Sequence, residues 1–356
     1  MKQVNILGAG LSGLSAAINL AKEGFEVNVF DVRNDSGARF EGDLQGLENW
    51  TSEKDILLDL KEMNLKVNFH CNPFKKVITT NGEKSFETQY SRPLFYLVKR
   101  GTMGDSIDQG LKRQAIDAGV KINYNAKFTG KADITAIGPK IQGKNYAIDK
   151  GIVFETDMDD IAVAIINNEA GYKAYSYLLV SKGYGCIATV VFEKFQLVNK
   201  CLENTKEILT RMFDLKIKNE KGVGGFGNFG YPPKLEENGS LFAGEAGLLQ
   251  DALAGFGIRY AITSGYLAAK ATMGECSYTA AINERFSPQL KASIVNRFTW
   301  EIAGDNVFNF LQFSSKRRDP LKDLRKLYNF EFFYHKLLYP IASMWFRMKY
   351  KPQIKK

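Results

Sequence analysis

The sequence predicts an α/β protein in which a parallel-sheet domain is interleaved with an antiparallel-sheet domain and followed by a helical C-terminal region. Three observations support this prediction. Residues 1–33 have the pattern strand, helix, strand. Residues 141–239 contain short segments of alternating apolar and polar side chains, which are typical of antiparallel strands. Residues 281–356 combine helical spacing of apolar residues with many basic and aromatic side chains.

The strongest signal lies at the N-terminus, where an apolar strand, Val4–Leu7, leads into a glycine-rich turn and a helix that is stopped by Gly24. In this spacing the first glycine permits a tight turn, the second lets the backbone approach a pyrophosphate, and the third lets the helix pack closely on the strand. Free N–H groups and the positive end of the helix dipole then face the phosphates. The pattern predicts a Rossmann-like dinucleotide-binding unit whose phosphate contacts are Gly8, Gly10, Leu11, Ser12 and Gly13.

An acidic residue follows the second strand of this unit. The strand Phe25–Phe30 ends on Asp31, at the distance after the glycines where a carboxylate holds the ribose hydroxyls of an adenosine. The same charge would repel a 2′-phosphate, so NADP is disfavoured. We expect Val32 and Arg33 at the same adenosine end. The unit alone leaves the choice between NAD and FAD open.

Alternation of strands and helices sets the predicted domain boundaries. Residues 53–63 and 107–118 have the spacing of amphipathic helices, Asn81-Gly82 predicts a hairpin turn, and residues 131–139 predict a strand ending in Gly-Pro. We predict a discontinuous nucleotide-binding domain formed by residues 1–66, 97–140 and 240–280. An antiparallel domain is predicted over residues 67–96 and 141–239, and a helical region over residues 281–356.

A second informative pattern lies at residues 240–258. An apolar strand ends in Gly244-Glu245, and a turn containing Gly255 and Gly257 opens a helix rich in small residues at Ile258. An acid here can accept a hydrogen bond from a ribityl hydroxyl, and the helix N-terminus can stabilise the negative charge of a reduced flavin. The structural alternative is a close-packed core helix with an incidental glutamate. The run at residues 222–230 is also glycine-rich but lacks a strong preceding strand and an opening helix.

The order of these motifs resembles the geranylgeranyl reductase family of FAD-dependent oxidoreductases, within the para-hydroxybenzoate hydroxylase-like fold. The resemblance covers residues 2–284, and its motifs are Gly8–Gly13 with Asp31, Arg100 before a helix, Ala132–Gly138, and Gly244-Glu245 with the glycine turn after it. It implies FAD as the cofactor, with Arg39, Arg100 and Gly138 among its contacts. Two positions depart from the family pattern, since Glu245 replaces the usual aspartate and Phe40 replaces a cysteine beside the flavin.

The resemblance implies hydride storage on the flavin and delivery to an apolar, isoprenoid or lipid-like double bond, with an external electron donor of unknown identity. No catalytic side chain is predicted, because the flavin carries the chemistry. Phe40, Tyr175 and Tyr177 are candidates for the substrate pocket, with ordinary core packing as the alternative. Two other functions stay open: an FAD-dependent monooxygenase, and a non-catalytic FAD- or lipid-binding protein with the same fold.

Composition argues against several other classes. The chain has two histidines and four widely spaced cysteines without a CxxC pair, so neither a Ser/His/Asp triad nor a metal site nor a disulfide framework is predicted. The first strand begins at once, and no apolar run approaches the roughly eighteen residues of a membrane span. We therefore expect a cytoplasmic protein.

The positive charge is concentrated near the C-terminus. Residues 314–356 contain twelve Lys or Arg and three Asp or Glu, a net charge of +9 that equals that of the whole chain. Aromatic residues are interleaved with these cations, which suits peripheral contact with an anionic membrane surface at its cytosolic face. The alternative is a helical cap on the other domains with a solvated basic edge. Nucleic acid is not an expected partner, because no nucleic-acid-binding module accompanies the charge.

Overall fold

The computed structural model describes residues 2–140 and 146–350. Residues 141–145 of the predicted antiparallel domain and residues 351–356 of the basic tail lie outside the described residues. In chain order the strands are β1 (Gln3–Leu7), β2 (Glu26–Phe30), β3 (Leu44–Glu48), β4 (Cys71–Phe74), β5 (Lys76–Thr80), β6 (Ser85–Gln89), β7 (Phe95–Lys99), β8 (Lys121–Asn123), β9 (Ile134–Thr135), β10 (Tyr146–Glu155), β11 (Ile161–Ile165), β12 (Ser176–Ser181), β13 (Tyr184–Val191), β14 (Lys218–Asn228), β15 (Glu236–Glu237) and β16 (Ser240–Phe242). The helices are α1 (Leu11–Lys22), α2 (Ile56–Glu62), α3 (Ile107–Asp117), α4 (Val198–Met212), α5 (Ile258–Met273), α6 (Tyr278–Ala303), α7 (Asn306–Ser315), α8 (Pro320–Leu327) and α9 (Phe333–Lys349).

The N-terminal unit forms the centre of a six-stranded sheet with the order β15-β16-β9-β1-β2-β8. Strand β1 pairs in parallel with β2 on one side and with β9 on the other. The Rossmann-like sheet predicted from the glycine-rich turn is therefore confirmed. The strand predicted over residues 131–139 is shorter than expected, because ladder pairing to β1 and β16 involves only Ile134 and Thr135.

A second sheet contains seven strands in the order β14-β10-β13-β12-β11-β5-β6. Its pairs are antiparallel except for β11 and β5. The predicted hairpin turn at Asn81-Gly82 joins β5 to β6, where Asn81 N donates to the carbonyl of Lys84 at 3.1 Å. Strand β14 was not predicted. It contains the glycine-rich run, and Gly224 and Gly225 lie against Asp149 of β10, where an added Cβ would come within 3.0 Å and 3.3 Å of Asp149 oxygens.

A third sheet, β3-β7-β4, was also not predicted. Strand β7 is its middle strand and pairs antiparallel with both neighbours. The predicted domain boundary between residues 96 and 97 falls inside this strand. In chain order, the strands of the third sheet thus lie between strands of the other two sheets.

The C-terminal helices pack over one end of the seven-stranded sheet. Helix α9 lies against α6, and its Ala342, Phe346 and Tyr350 are buried. Phe346 and Tyr350 contact the ring of Phe229, with centroids 5.9 Å and 5.0 Å away. Lys349 forms ion pairs with Glu193 and Glu301, which fixes the end of the helix. One side of α9 therefore forms a cap on the body of the protein.

Candidate functional site

One cavity of 640 Å³ connects the glycine-rich turn after β1 with one face of the seven-stranded sheet. It receives residues from all three sheets and from the start of α5. Every site residue predicted from the sequence lines it except Gly13 and Gly244. The structure therefore brings together segments that lie more than two hundred residues apart in the chain.

The glycines of the first turn have different roles. Gly8 has a φ of +101°, and a Cβ there would collide with the carbonyl oxygen of Ala136. A Cβ at Gly13 would collide with the carbonyl oxygen of Gly8. At Gly10, in contrast, nothing lies within 4 Å of an added Cβ, because this residue faces the cavity. The second glycine thus leaves space for a ligand to approach the backbone at the start of α1.

Asp31 lies at the end of β2, next to this turn. Its Oδ2 accepts a hydrogen bond from Ala9 N at 2.7 Å, and its Oδ1 accepts one from Arg33 N at 2.9 Å. A carboxylate has about four lone-pair sites, so capacity remains for ribose hydroxyls. Val32 and Arg33 lie at the same end of the cavity.

Arg39 and Glu245 form an ion pair at the middle of the cavity. Arg39 Nη1 lies 3.0 Å from Glu245 Oε2, and its guanidinium also donates to the carbonyl of Phe226. Burial raises the pKa of Glu245, whereas the charge of Arg39 opposes that rise. The predicted ribityl acceptor is thus held in place by a cation from the loop after β2. Gly138 lies beside this pair, with Arg39 Nη1 3.9 Å from the position of an added Cβ.

Arg100 contributes mainly by positioning its neighbours. Its Nε and Nη2 donate to the carboxylate of Asp108 at 2.9 and 3.0 Å, and its Nη1 donates to Gln45 Oε1 at 3.0 Å. Its Cζ lies 3.9 Å from the centre of the Phe40 ring. Phe40 is therefore a stacked element of the cavity wall.

The start of α5 forms the other end of the cofactor region. Gly257 precedes the first helical residue, Ile258, and the preceding turn is held by Gln250 Nε2, which donates to the carbonyl of Gly255 at 2.7 Å. Gln250 Oε1 is buried and has no hydrogen-bond partner within the described residues. A buried acceptor without a donor is costly, so a ligand N–H, such as that of a flavin pyrimidine ring, fits this position.

The wall opposite the cofactor region is apolar and aromatic. It consists of residues on the inner face of the seven-stranded sheet and in adjacent strands, among them Phe95, Leu97, Tyr175, Tyr177, Leu179, Phe192 and Phe229. The hydroxyl of Tyr175 donates to the carbonyl of Ala254 at 2.5 Å, which orients this ring. Burial raises the pKa of both Tyr175 and Tyr177, so their hydroxyls stay protonated near neutral pH.

Two carboxyl groups on this wall were not predicted. Asp149 on β10 has a pKa raised to about 6 by burial and by the charge of Asp43, whereas Arg39 opposes the rise. Burial also raises the pKa of Asp43. In the sequence Asp149 has the position of a solvent-facing residue in an alternating strand, whereas in the structure it lines the cavity. Gln45, Phe226, Gln250 and Phe256 were likewise missed, because no local motif marks them.

The residues present fit FAD. The turn at Gly10 is open to a diphosphate, Asp31 offers acceptors at one end, and Gln250 offers an unsatisfied acceptor at the other. The N-termini of α1 and α5 both line the same cavity, and each carries a partial positive charge. These features suit an extended anionic dinucleotide.

Comparison with known sequences agrees with the N-terminal unit. A family model described as an NAD(P)-binding Rossmann-like domain matches residues 6–43. The thiamine thiazole synthase of Thermotoga maritima is 43% identical over 63 residues, which make up 18% of this chain and 25% of that protein. The match thus spans about a quarter of the length of this curated relative.

Solved structures match over almost the whole chain. A geranylgeranyl bacteriochlorophyll reductase-like protein from Thermoplasma acidophilum matches with a TM-score of 0.70 and 18% identity, over 98% of this chain and 100% of that one. The flavin-dependent brominase Bmp2 matches with a TM-score of 0.64 and 16% identity, over 97% and 99% of the two chains. A flavoprotein/dehydrogenase from Cytophaga hutchinsonii has a TM-score of 0.64 and 14% identity, over 96% and 99%. The chain therefore has the fold of the FAD-dependent oxidoreductases, as the resemblance of its motifs to the geranylgeranyl reductase family implied.

Proposed function

We propose that this protein is an FAD-dependent reductase of carbon–carbon double bonds in an apolar, isoprenoid or lipid-like substrate, acting in the cytoplasm. The observation that carries the proposal is the continuity of one cavity from the open turn at Gly10 to an aromatic and aliphatic wall. A wall of this composition binds hydrocarbon by excluding water and offers few groups to a polar substrate.

The two ends of the cavity would bind different halves of the cofactor. The turn at Gly10 and the carboxylate of Asp31 would bind the adenosine diphosphate half. Glu245, held by Arg39, and the start of α5 at Ile258 would bind the flavin half. When bound, FAD supplies the two electrons of the reduction as a hydride.

Reduction of a double bond also needs a proton, and Asp149 is placed to hold it. Its carboxyl lies on the cavity wall and receives no hydrogen bond from another side chain within the described residues. Because its pKa is raised to about 6, a substantial fraction is protonated in mildly acidic solution. Asp149 would give this proton to one carbon of the double bond as the other carbon is reduced, and solvent would return a proton to its carboxylate. The aromatic wall at Tyr175 and Tyr177 orients the chain and keeps water from the reacting carbons.

The test is an anaerobic single-turnover experiment with purified protein. Its absorbance spectrum first shows whether flavin is bound. The dithionite-reduced protein is then mixed with a prenylated lipid or a prenylated quinone. We expect flavin reoxidation together with a product that has gained two hydrogen atoms.

Three other outcomes would contradict the proposal. Oxidation by oxygen with incorporation of labelled oxygen into the product would show a monooxygenase. Bound flavin that no donor reduces at a useful rate would show a binding protein. Absence of flavin from the purified protein, with no binding on reconstitution, would remove the common premise.

A further inference from the structure

Helix α9 exposes a continuous apolar stripe on the side that faces away from the protein. The stripe consists of Phe333, Leu337, Ile341, Met344 and Met348, whose exposed fractions lie between 55% and 72%. Their spacing of three or four residues places them on one side of the helix along its whole length. Scattered exposed apolar residues are ordinary, but a contiguous exposed stripe usually marks an interaction surface.

The opposite side of the same helix packs behind part of the cavity wall. Ala342 and Phe346 belong to a buried cluster with Phe192 and Phe229, both of which line the cavity wall. The helix is therefore apolar on both sides. Its inner side packs behind the part of the cavity wall formed by Phe192 and Phe229, and its outer side faces solvent.

The charges around the stripe favour an anionic surface. Helix α9 contains no Asp or Glu. Lys336 and Arg347 are exposed along one border of the stripe, and the sequence continues beyond the helix with Lys351, Lys355 and Lys356. Lys336 is paired with Glu331 across an exposed contact, which is a weak interaction. Arg347 has no ion pair within the described residues.

A second copy of the chain fits this surface less well. Two copies joined through the stripe by a two-fold axis would place identical patches against each other. Such a contact would place Lys336 and Arg347 at its edges, and α9 of the other copy supplies no acidic residue to pair with them. An anionic bilayer satisfies both features, since hydrocarbon takes up the apolar side chains and headgroup phosphates pair with the cations.

We infer that the stripe on α9 is a membrane-docking surface that seats the protein on an anionic phospholipid bilayer. Among the described residues no helix is both long and apolar enough to cross a membrane, so the contact is peripheral. Docking in this orientation places the cavity wall at Phe192 and Phe229 on the membrane side of the protein, with α9 between that wall and the lipid. Use of that position to take up an apolar substrate rests on the proposed function, whereas docking itself does not.

The test is sedimentation of the full chain with phospholipid vesicles. We expect binding to vesicles of phosphatidylcholine containing phosphatidylglycerol, weaker binding to phosphatidylcholine alone, and a decrease with added salt. The double variant Leu337→Gln/Ile341→Gln should bind about tenfold less tightly or weaker still, because two side chains no longer enter hydrocarbon. The double variant Lys336→Gln/Arg347→Gln should lose about tenfold on anionic vesicles and nothing on neutral ones.

The matched control is Leu58→Gln/Ile116→Gln, which changes two residues of similar exposure, 54% and 53%, on α2 and α3. This variant should bind vesicles like the unchanged protein. The inference is overturned if the unchanged protein does not bind anionic vesicles or if the stripe variant binds as well as the control. It is also overturned if the unchanged protein is a dimer that the stripe variant converts to monomers without any vesicle binding. The absorbance of bound flavin, measured on the same samples, reports separately on the proposed function.

Discussion

Replacement of Gly10 by alanine tests the cofactor site most directly. Gly10 precedes α1 with a φ of −85°, which alanine adopts without strain, and an added Cβ would meet no atom within 4 Å. The methyl group would instead project into the cavity where a diphosphate is expected. We therefore expect Gly10→Ala to weaken FAD binding while leaving the protein without flavin nearly as stable as before.

The magnitude follows from one displaced contact. A hydrogen bond from a backbone N–H to a charged phosphate is worth about 1.5–3 kcal/mol, so its loss should weaken FAD binding about tenfold to a hundredfold. Two smaller effects act on folding with opposite signs. Alanine restricts the unfolded chain, which stabilises by about 0.4–1 kcal/mol, but it is a poorer residue than glycine before a helix. The free energy of unfolding without flavin should therefore change by less than about 1 kcal/mol.

Two further variants make this test specific. Gly104 also has nothing within 4 Å of an added Cβ, and it does not line the cavity, so Gly104→Ala should leave FAD affinity unchanged. Gly13→Ala should destabilise the flavin-free protein by about 1–3 kcal/mol, because its Cβ collides with the carbonyl of Gly8. Titration of flavin-free protein with FAD gives the affinity, and urea unfolding gives the stability. Wild-type affinity in Gly10→Ala would refute the placement of the diphosphate.

Three other predictions concern carboxyl groups. Asp149→Asn should slow double-bond reduction about a hundredfold without changing the rate of flavin reduction. In the unchanged protein the rate of double-bond reduction should fall as the pH rises through about 6, because the Asp149 carboxyl must be protonated. Single-turnover rates measured against pH check this, and the same pH profile in Asp149→Asn would remove Asp149 from the mechanism. Glu245→Gln keeps a hydrogen-bond acceptor but removes the charge opposite Arg39, so the free energy of unfolding in urea should fall by about 1 kcal/mol. An unchanged free energy of unfolding would show that the ion pair does not contribute to stability. Burial raises the pKa of Asp251 from 3.8 to about 6, although Tyr328 and two backbone N–H groups bond its carboxyl. Because the folded protein binds this proton more tightly, stability should fall by about 3 kcal/mol as the pH rises from about 4 to above 6, and Asp251→Asn, followed by urea unfolding at each pH, should lose this dependence.

The parts of the fold that follow from local backbone requirements could be predicted from the sequence. The turn from Gly8 to Gly13 is determined by glycines whose spacing has a direct steric reason, and the turn before the helix start at Ile258 contains Gly255 with a φ of +75°. Strand β14 could not be predicted in this way. It pairs with β10 across about seventy residues of chain, and its glycines carry no periodic pattern. The strands β3 and β4 depend in the same way on a partner, β7, that is distant in sequence.

The same limit applies to the residues of the site. Asp31 and Glu245 could be predicted because each directly follows a strand and lies beside a glycine turn. Asp149 could not, since an acidic residue in an alternating strand ordinarily faces solvent, and the covering of that face by the other domain is a tertiary feature. The two sides of α9 also become distinct only in the structure, because both are rich in apolar residues in the sequence.

The contact between α1 and α5 explains how distant segments of the chain form one site. Ser15 Oγ donates to the carbonyl of Ile262 at 2.8 Å, and an added Cβ at Gly265 would collide with the carbonyl oxygen of Ser12. The two helices therefore touch through their backbones, and small residues are required at the contact. Because both N-termini line the cavity, their spacing fixes two partial positive charges, one suited to a diphosphate and one to a reduced flavin. The wall of the seven-stranded sheet is not part of this contact, so its side chains can differ without moving the two helix N-termini.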